Sequence, residues 1–282
     1  MRKEKVFYDI VDAIKNSKKY KSIYKKTIER IVENILDKHS TKDVEKKAKN
    51  ILHQDWGAFY KARTDFKKII QKVNSEIRDG SLARSTIAGG GVKEILKPIL
   101  AIHNSTKERL NILENFYKEI FNITGKPNSI LDIGCGFNPL CIPWMNLLES
   151  TKYKSIDIDE EEIAFLREIF HILKININIE FEVKDILIDK FEFADCIFLL
   201  KIIPILERTN KDITEILLNK LKYNHLVVSF PTKSLSSKEK GMEKFYSENF
   251  EALIHNNKFH KLNFLSELVY IVIKKTHTQQ AR

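Results

Sequence analysis

The stretch SILDIGCGFNPLCIPWM, Ser129 to Met145, ends an apolar run in an acid, follows it with two glycines one residue apart, and then sets a proline where a helix would begin. The apolar run reads as a strand. In a doubly wound sheet, ligands sit at the carboxyl ends of the strands, and the first strand-to-helix turn uses glycine so that backbone can approach them closely. Gly134 and Gly136 occupy that turn, with Asp132 on the strand. The next strand-like run ends in Asp157, 21 residues after Gly136, about where an acid meets ribose hydroxyls. A nicotinamide dinucleotide site would want a third glycine or alanine at position 139. Pro139 stands there instead, which suits the first turn of a helix and argues against that cofactor. An acid, a two-glycine turn and a ribose-binding acid are what an S-adenosylmethionine site of the α/β methyltransferase fold needs; the plainer alternative is that each acid is a turn residue at a strand end.

Two further positions fit the same ligand. Asp185, after the run FEVKDIL, offers a carboxylate to an adenine amino group, with the backbone N–H of Ile186 beside it for a ring nitrogen. Arg109 could fork onto the methionine carboxylate. On spacing alone, either could equally be a surface pair. The segment IFLLKIIPILE lacks the Asn-Pro-Pro-Tyr type of tetrad that holds an exocyclic amine, and no cysteine stands where a carbon-methylating nucleophile is expected. A target that already exposes a lone pair, such as N7 of guanine, needs neither a general base nor a covalent step, only orientation and desolvation.

These residues must be positioned by alternating elements. After Gly125, runs rich in Ile, Val and Phe predict strands at Ser129–Ile133, Tyr153–Ile158, Ile179–Val183, Ala194–Leu200 and His225–Phe230, with helices near Pro139, Glu161 and Thr209. That alternation predicts a parallel sheet covered on both faces. KLNFLSELVYIVIKK leaves almost no room for a crossover, so it is expected to add an antiparallel hairpin at the sheet edge. Upstream, apolar residues recur at helical spacing in VFYDIVDAI, TIERIVENILDKH, NILHQDWGAFY and FKKIIQKVNSEI, predicting short amphipathic helices. Trp56, Phe59 and Tyr60 read as helix core, not as stacking platforms. DGSLARSTIAGGGVKE reads as a link, followed by a helix from about Val92, bent or begun at Pro98. Ser105 or Thr106 is placed to cap a helix carrying Glu108.

The charge is unevenly distributed along the 282 residues. Residues 1–103 hold 24 Lys+Arg against 13 Asp+Glu, a balance of +11; residues 104–282 hold 24 against 25, a balance of −1. Cations concentrated in one segment point to a polyanionic partner, because neutralised phosphates release counterions; the alternative is a set of solvated helix faces. The expected division is 1–104, a basic helical docking domain, and 105–282, an α/β catalytic domain. Cys135, Cys141 and Cys196 lie in or beside apolar runs without a C-x-x-C pair, so buried free thiols are expected, with neither disulfide nor metal site. The longest apolar run, about 13 residues from Ala194, carries Lys201 and falls short of the roughly 20 that a membrane span needs. With no signal-type N-terminus, a cytoplasmic protein without membrane attachment is expected.

Beyond these features, LHQDWGAFY, HNSTKER, LDIGCGFNPLCIPWMN, IDIDEEEIAFL, FLLKIIPILE, VVSFPTKSLSSKEKGMEKFY and ELVYIV closely resemble the aminoglycoside-resistance 16S rRNA methyltransferases that modify N7 of the decoding-site guanine numbered 1405. The resemblance runs in order from about Ile51 to Ile273, and FPTKSLSSKEKGME is its most specific string. It implies a class I, Rossmann-like S-adenosylmethionine-dependent methyltransferase domain with an N-terminal helical domain docking on 16S rRNA in the 30S subunit, and no obligate protein partner. It further implies that His103, Ser105, Arg109, Gly134, Asp157, Asp185, Ile186 and Leu200 line the cofactor site, and that Lys201, Lys238, Lys240 and Met242 face RNA and the extruded base. Lys46, Lys47, Lys67 and Lys68 are candidates for phosphate contacts. The rival readings are a methyltransferase of this fold acting on another RNA position or a small molecule, and a non-catalytic ribosome-binding protein.

Overall fold

The central strands of a seven-stranded sheet alternate their side chains between two apolar faces, and a strand buried on both sides must be apolar at nearly every position. In β1 (Ser129–Ile133), Ile130 faces one core and Leu131 the other; in β4 (Ala194–Leu200), Phe198 and Leu199 divide likewise. The computed structural model describes residues 2–37, 43–55, 64–78, 91–232 and 242–274. The remaining strands are β2 (Lys152–Asp157), β3 (Asn178–Val183), β5 (Tyr223–Pro231), β6 (Lys258–Asn263) and β7 (Glu267–Ile273). Their order is β3-β2-β1-β4-β5-β7-β6; the first five are parallel, β7 runs antiparallel to β5, and β6 forms the edge. The expected parallel sheet and edge hairpin are both present. Strand order reverses between β1 and β4, which opens a crevice beside the glycine turn.

The helices are α1 (Arg2–Lys15), α2 (Lys25–Leu36), α3 (Val44–Asp55), α4 (Phe66–Arg78), α5 (Val92–Leu100), α6 (Asn104–Arg109), α7 (Leu113–Thr124), α8 (Ile142–Met145), α9 (Glu160–Leu173), α10 (Ile203–Leu206), α11 (Ile213–Lys220) and α12 (Met242–Ile254). Several expectations are corrected. Pro98 lies inside α5, which begins at Val92. The helix near Pro139 is a 3-10 turn, Asn138–Cys141, followed by the single turn α8. Thr209 falls in the turn between α10 and α11. His103 and not Ser105 or Thr106 precedes α6, and the Thr106 hydroxyl donates back to Leu100 O (2.7 Å). Helix α12 had no forecast, because its sequence continues a lysine-rich segment with a weak apolar stripe.

The composition boundary at residue 104 does not coincide with the cores. Helices α1–α3 close on one another around Val11, Ile14, Ile28, Val32, Ala48 and Leu52. Helix α4 stacks Phe66 on Phe165 of α9 (4.7 Å between centroids), and α5 buries Leu96 and Leu100 in the core under the sheet. The basic segment is thus one helical unit with its own core plus two helices that belong to the sheet. Cys135, Cys141 and Cys196 are free and buried, as expected, and burial pushes all three thiols up, Cys141 to about 12. Trp56, Phe59, Tyr60, the link from Asp79 to Gly90 and the C-terminal THTQQAR lie outside the described residues. Among the described residues no helix is long and apolar enough to cross a membrane, and no cluster of potential metal ligands occurs.

Candidate cofactor site

The turn after β1 is left-handed at both glycines, φ +64° at Gly134 and +47° at Gly136. Close approach also demands glycine: a Cβ on Gly134 would stand 2.4 Å from Ile202 Cδ1, and one on Gly136 2.9 Å from the His103 ring. Asp157, at the end of β2, ties this turn to its neighbour. Its Oδ2 accepts from Gly136 N (3.1 Å), and its Oδ1 from Ile158 N (2.7 Å) and Asp159 N (3.2 Å). A carboxylate has about four acceptor positions, so one remains, and Asp157 lines the cavity.

His103, Ser105, Arg109, Gly134, Asp157, Asp185, Ile186 and Leu200, drawn from five separate places in the chain, line this one cavity. Asp132 does not join them. It is buried and accepts from Asn138 Nδ2 (2.9 Å) and Tyr153 OH (2.7 Å), and its burial raises it to about 7. Its role is to fix the glycine turn from behind. His103, 5 % exposed and beside Arg109 and Lys201, is lowered to about 3, chiefly by burial, and is neutral at any working pH.

Arg109 differs most from expectation. Its fork faces Glu267, Nε to Oε2 at 2.6 Å and Nη2 to Oε1 at 3.1 Å, while Nη1 donates to Asn138 (3.0 Å) and Nη2 to Ser105 (3.0 Å). Four of the five N–H groups are therefore engaged, and one is left for a ligand. It is no surface pair: Arg109 and Glu267 are 1 % and 0 % exposed. Glu267 also accepts from Ser229 and sits 3.5 Å from Lys201 Nζ. Lys201, expected to face RNA, is buried in a left-handed conformation (φ +60°), its ammonium held by Glu108 and Glu267. Removing one member of such a buried pair would strand the other as an uncompensated charge. Glu267 escaped the sequence reading. Its signal was a lone charge opening the otherwise apolar strand ELVYIVI.

Asp185 is also partly engaged. Oδ2 accepts from Thr27 Oγ1 (2.9 Å) and Arg30 Nε (3.1 Å), and Oδ1 from Leu187 N (2.8 Å). Thr27, Arg30, Ile31 and Leu52 from the helical unit line the cavity with it, none of them anticipated. Lys46, Lys67 and Lys68 are exposed and Lys47 half-buried. Lys238 and Lys240 lie outside the described residues, and Met242 opens α12.

A cavity at the strand-order reversal, floored by a two-glycine turn and walled by an acid ending the next strand, on a sheet closed by an antiparallel β7, defines an α/β S-adenosylmethionine-dependent methyltransferase. The residues fit that cofactor: glycine where backbone must approach, an open acceptor on Asp157, an apolar lining from Ile133, Ile158 and Leu200, and an unspent N–H on Arg109. The ribosomal RNA methyltransferase (FmrO) family model matches residues 16–271, and the chain belongs to that family. It is 30 % identical to the 16S rRNA (guanine(1405)-N(7))-methyltransferase of Micromonospora echinospora over 94 % of this chain and 96 % of that one. It is 31 % identical to the enzyme of the same name from Proteus mirabilis, over 86 % and 87 %. The crystal structure of 16S rRNA methyltransferase RmtF in complex with S-adenosyl-L-homocysteine superposes with a TM-score of 0.77 at 27 % identity, covering 95 % of this chain and 98 % of that one.

Proposed function

We propose that this chain transfers the methyl group of S-adenosylmethionine to N7 of guanine 1405 in 16S rRNA of assembled 30S subunits, and so confers resistance to aminoglycosides of the kanamycin and gentamicin type. The observation that carries this reading is a similarity to the guanine-1405 enzymes that spans the basic helices as well as the cofactor turn.

The bound cofactor supplies an electrophilic methyl group on a sulfonium. The chain's own residues do the rest by placement. Asp157 takes the ribose hydroxyls, Asp185 and Ile186 the adenine edge, Leu200 the ring face, and the remaining Arg109 N–H the carboxylate end, with His103 and Ser105 closing the wall. Guanine N7 carries its own lone pair, so orientation and exclusion of water suffice and no side chain needs to remove a proton. The basic segment, residues 1–104 with α1–α3 as its self-contained core, contacts phosphates through lysines such as Lys46, Lys47, Lys67 and Lys68. The target base is flipped toward Lys238, Lys240 and Met242. The methylated ring loses its Hoogsteen acceptor and gains a positive charge. A polycationic drug then faces a repelling edge, and each donor it strands costs about 1–3 kcal/mol.

The test is to incubate purified 30S subunits with the protein and labelled S-adenosylmethionine, then map N7-methylguanine by reduction, aniline cleavage and primer extension. A stop at guanine 1405 is expected. A stop elsewhere would reassign the target, and no incorporation would refute the activity.

A further inference from the structure

The hydrogen bonds of α2 and the turn before it lie on the cofactor side of the molecule. Ser22 O accepts from Glu160 N and Tyr24 N donates to Ile158 O, both at 2.7 Å, and Ile23 bridges Asp159 antiparallel. These stitches fall within three residues of Asp157. One turn further along, Thr27 and Arg30 converge on Asp185: Thr27 Oγ1 at 2.9 Å, Arg30 Nε at 3.1 Å and Arg30 Nη2 at 3.0 Å, all to Oδ2. Thr27 and Asp185 are 1 % and 2 % exposed, and Arg30 reaches both Asp185 and the cavity. The helical unit therefore grips the segments that follow β2 and β3, which carry the two acids assigned to ribose and adenine.

We propose that Thr27 and Arg30 are positioning residues of the cofactor site, holding Asp185 for the adenine end, and that through them RNA docking by the helical unit and cofactor binding strengthen each other. The proposal rests on the reading of this cavity as the S-adenosylmethionine pocket. The physical basis is direct. A carboxylate this deeply buried needs a paired charge and hydrogen-bond donors. Here the charge and both donors to Oδ2 come from the helical unit, while Leu187 N donates to Oδ1 from the loop after β3 and leaves Oδ1 a second acceptor position for the adenine end. Because α1–α3 share one core, a force applied at their RNA-facing surface reaches α2 as a body. Linkage then requires that any factor by which the subunit tightens cofactor binding equals the factor by which the cofactor tightens subunit binding.

Titration calorimetry of the full chain with S-adenosylhomocysteine tests this, using Thr27→Val, Thr27→Ser, Arg30→Gln and Arg30→Lys. Thr27→Val and Arg30→Gln are expected to raise Kd about tenfold, whereas Thr27→Ser, which keeps the hydroxyl, stays within about twofold of wild type. Arg30→Lys is expected to fall between wild type and Arg30→Gln. With 30S subunits added, S-adenosylhomocysteine should bind wild type more tightly, and Arg30→Gln should lose most of that gain while its subunit affinity without cofactor is retained. Equal losses in Thr27→Ser and Thr27→Val would assign the effect to packing and overturn the proposal. So would an unchanged Kd in folded Thr27→Val and Arg30→Gln, which would leave the pocket assignment standing. A wild-type chain that binds no S-adenosylhomocysteine would remove both.

Discussion

At Gly134 the backbone is left-handed and Ile202 occupies the space a side chain would need. Gly134→Ala is expected to cost about 1–2 kcal/mol of stability, from the backbone conformation and the crowding. It should also weaken S-adenosylhomocysteine binding beyond what that loss explains; a thermal melt paired with calorimetry separates the two. His103 gives a pH dependence. Its folded pKa of about 3 lies below the ordinary 6.5, so the unfolded chain binds the extra proton between those values. Stability from keeping His103 neutral is present above about pH 6.5 and is lost as pH falls toward 3. Between pH 7 and pH 5 wild type should lose about 2 kcal/mol more than His103→Gln, measured by urea unfolding at both pH values. Equal losses would show that the imidazole is not desolvated.

At the scale of elements, the path from β2 into α9 is organised by acids with different tasks. Asp159 caps α9, its side chain accepting from Glu161 N (2.9 Å) and Glu162 N (3.1 Å). Asp157, two residues earlier, leaves an acceptor for the ligand. Asp159→Ala is expected to destabilise by about 1 kcal/mol, with a modest rise in Kd for S-adenosylhomocysteine, whereas Asp157→Ala should abolish that binding and also lower the melting temperature, because it strands Gly136 N, Ile158 N and Asp159 N. Similar rises in Kd for both variants would collapse this distinction. Both acids were visible as the string IDIDEEE. Which one capped and which one faced the cavity depended on where β2 stops, and that is set by its pairing of Asp157 with Val183 on β3.

For the whole molecule, the exposed lysines of α4 lie apart from the cofactor cavity. Charge reversal at Lys67 and Lys68, exposed on α4, is expected to weaken 30S binding and to flatten its dependence on salt by roughly 0.7–0.9 for each phosphate that is no longer neutralised. Cofactor affinity should be untouched. Filter binding over a salt series gives both the affinity and the slope, and equal losses of cofactor and subunit binding would contradict the division of labour. The same two lysines stand on a helix packed against α9 of the catalytic core, so the docking face is expected to extend past α1–α3 onto the sheet domain.

The parallel sheet with its edge hairpin, the glycine turn, the acid that ends β2 and the cationic N-terminal third were legible because each is local. Period, turn chemistry and charge are written in neighbouring residues, and a strand covered on both faces must be apolar throughout. What a buried charge pairs with is not local. Arg109 meets Glu267 across 158 positions, and Asp185 meets Thr27 and Arg30 across a similar span. The partner of a charge removed from water is whichever opposite group the folded chain carries to it, and only tertiary packing decides which that is.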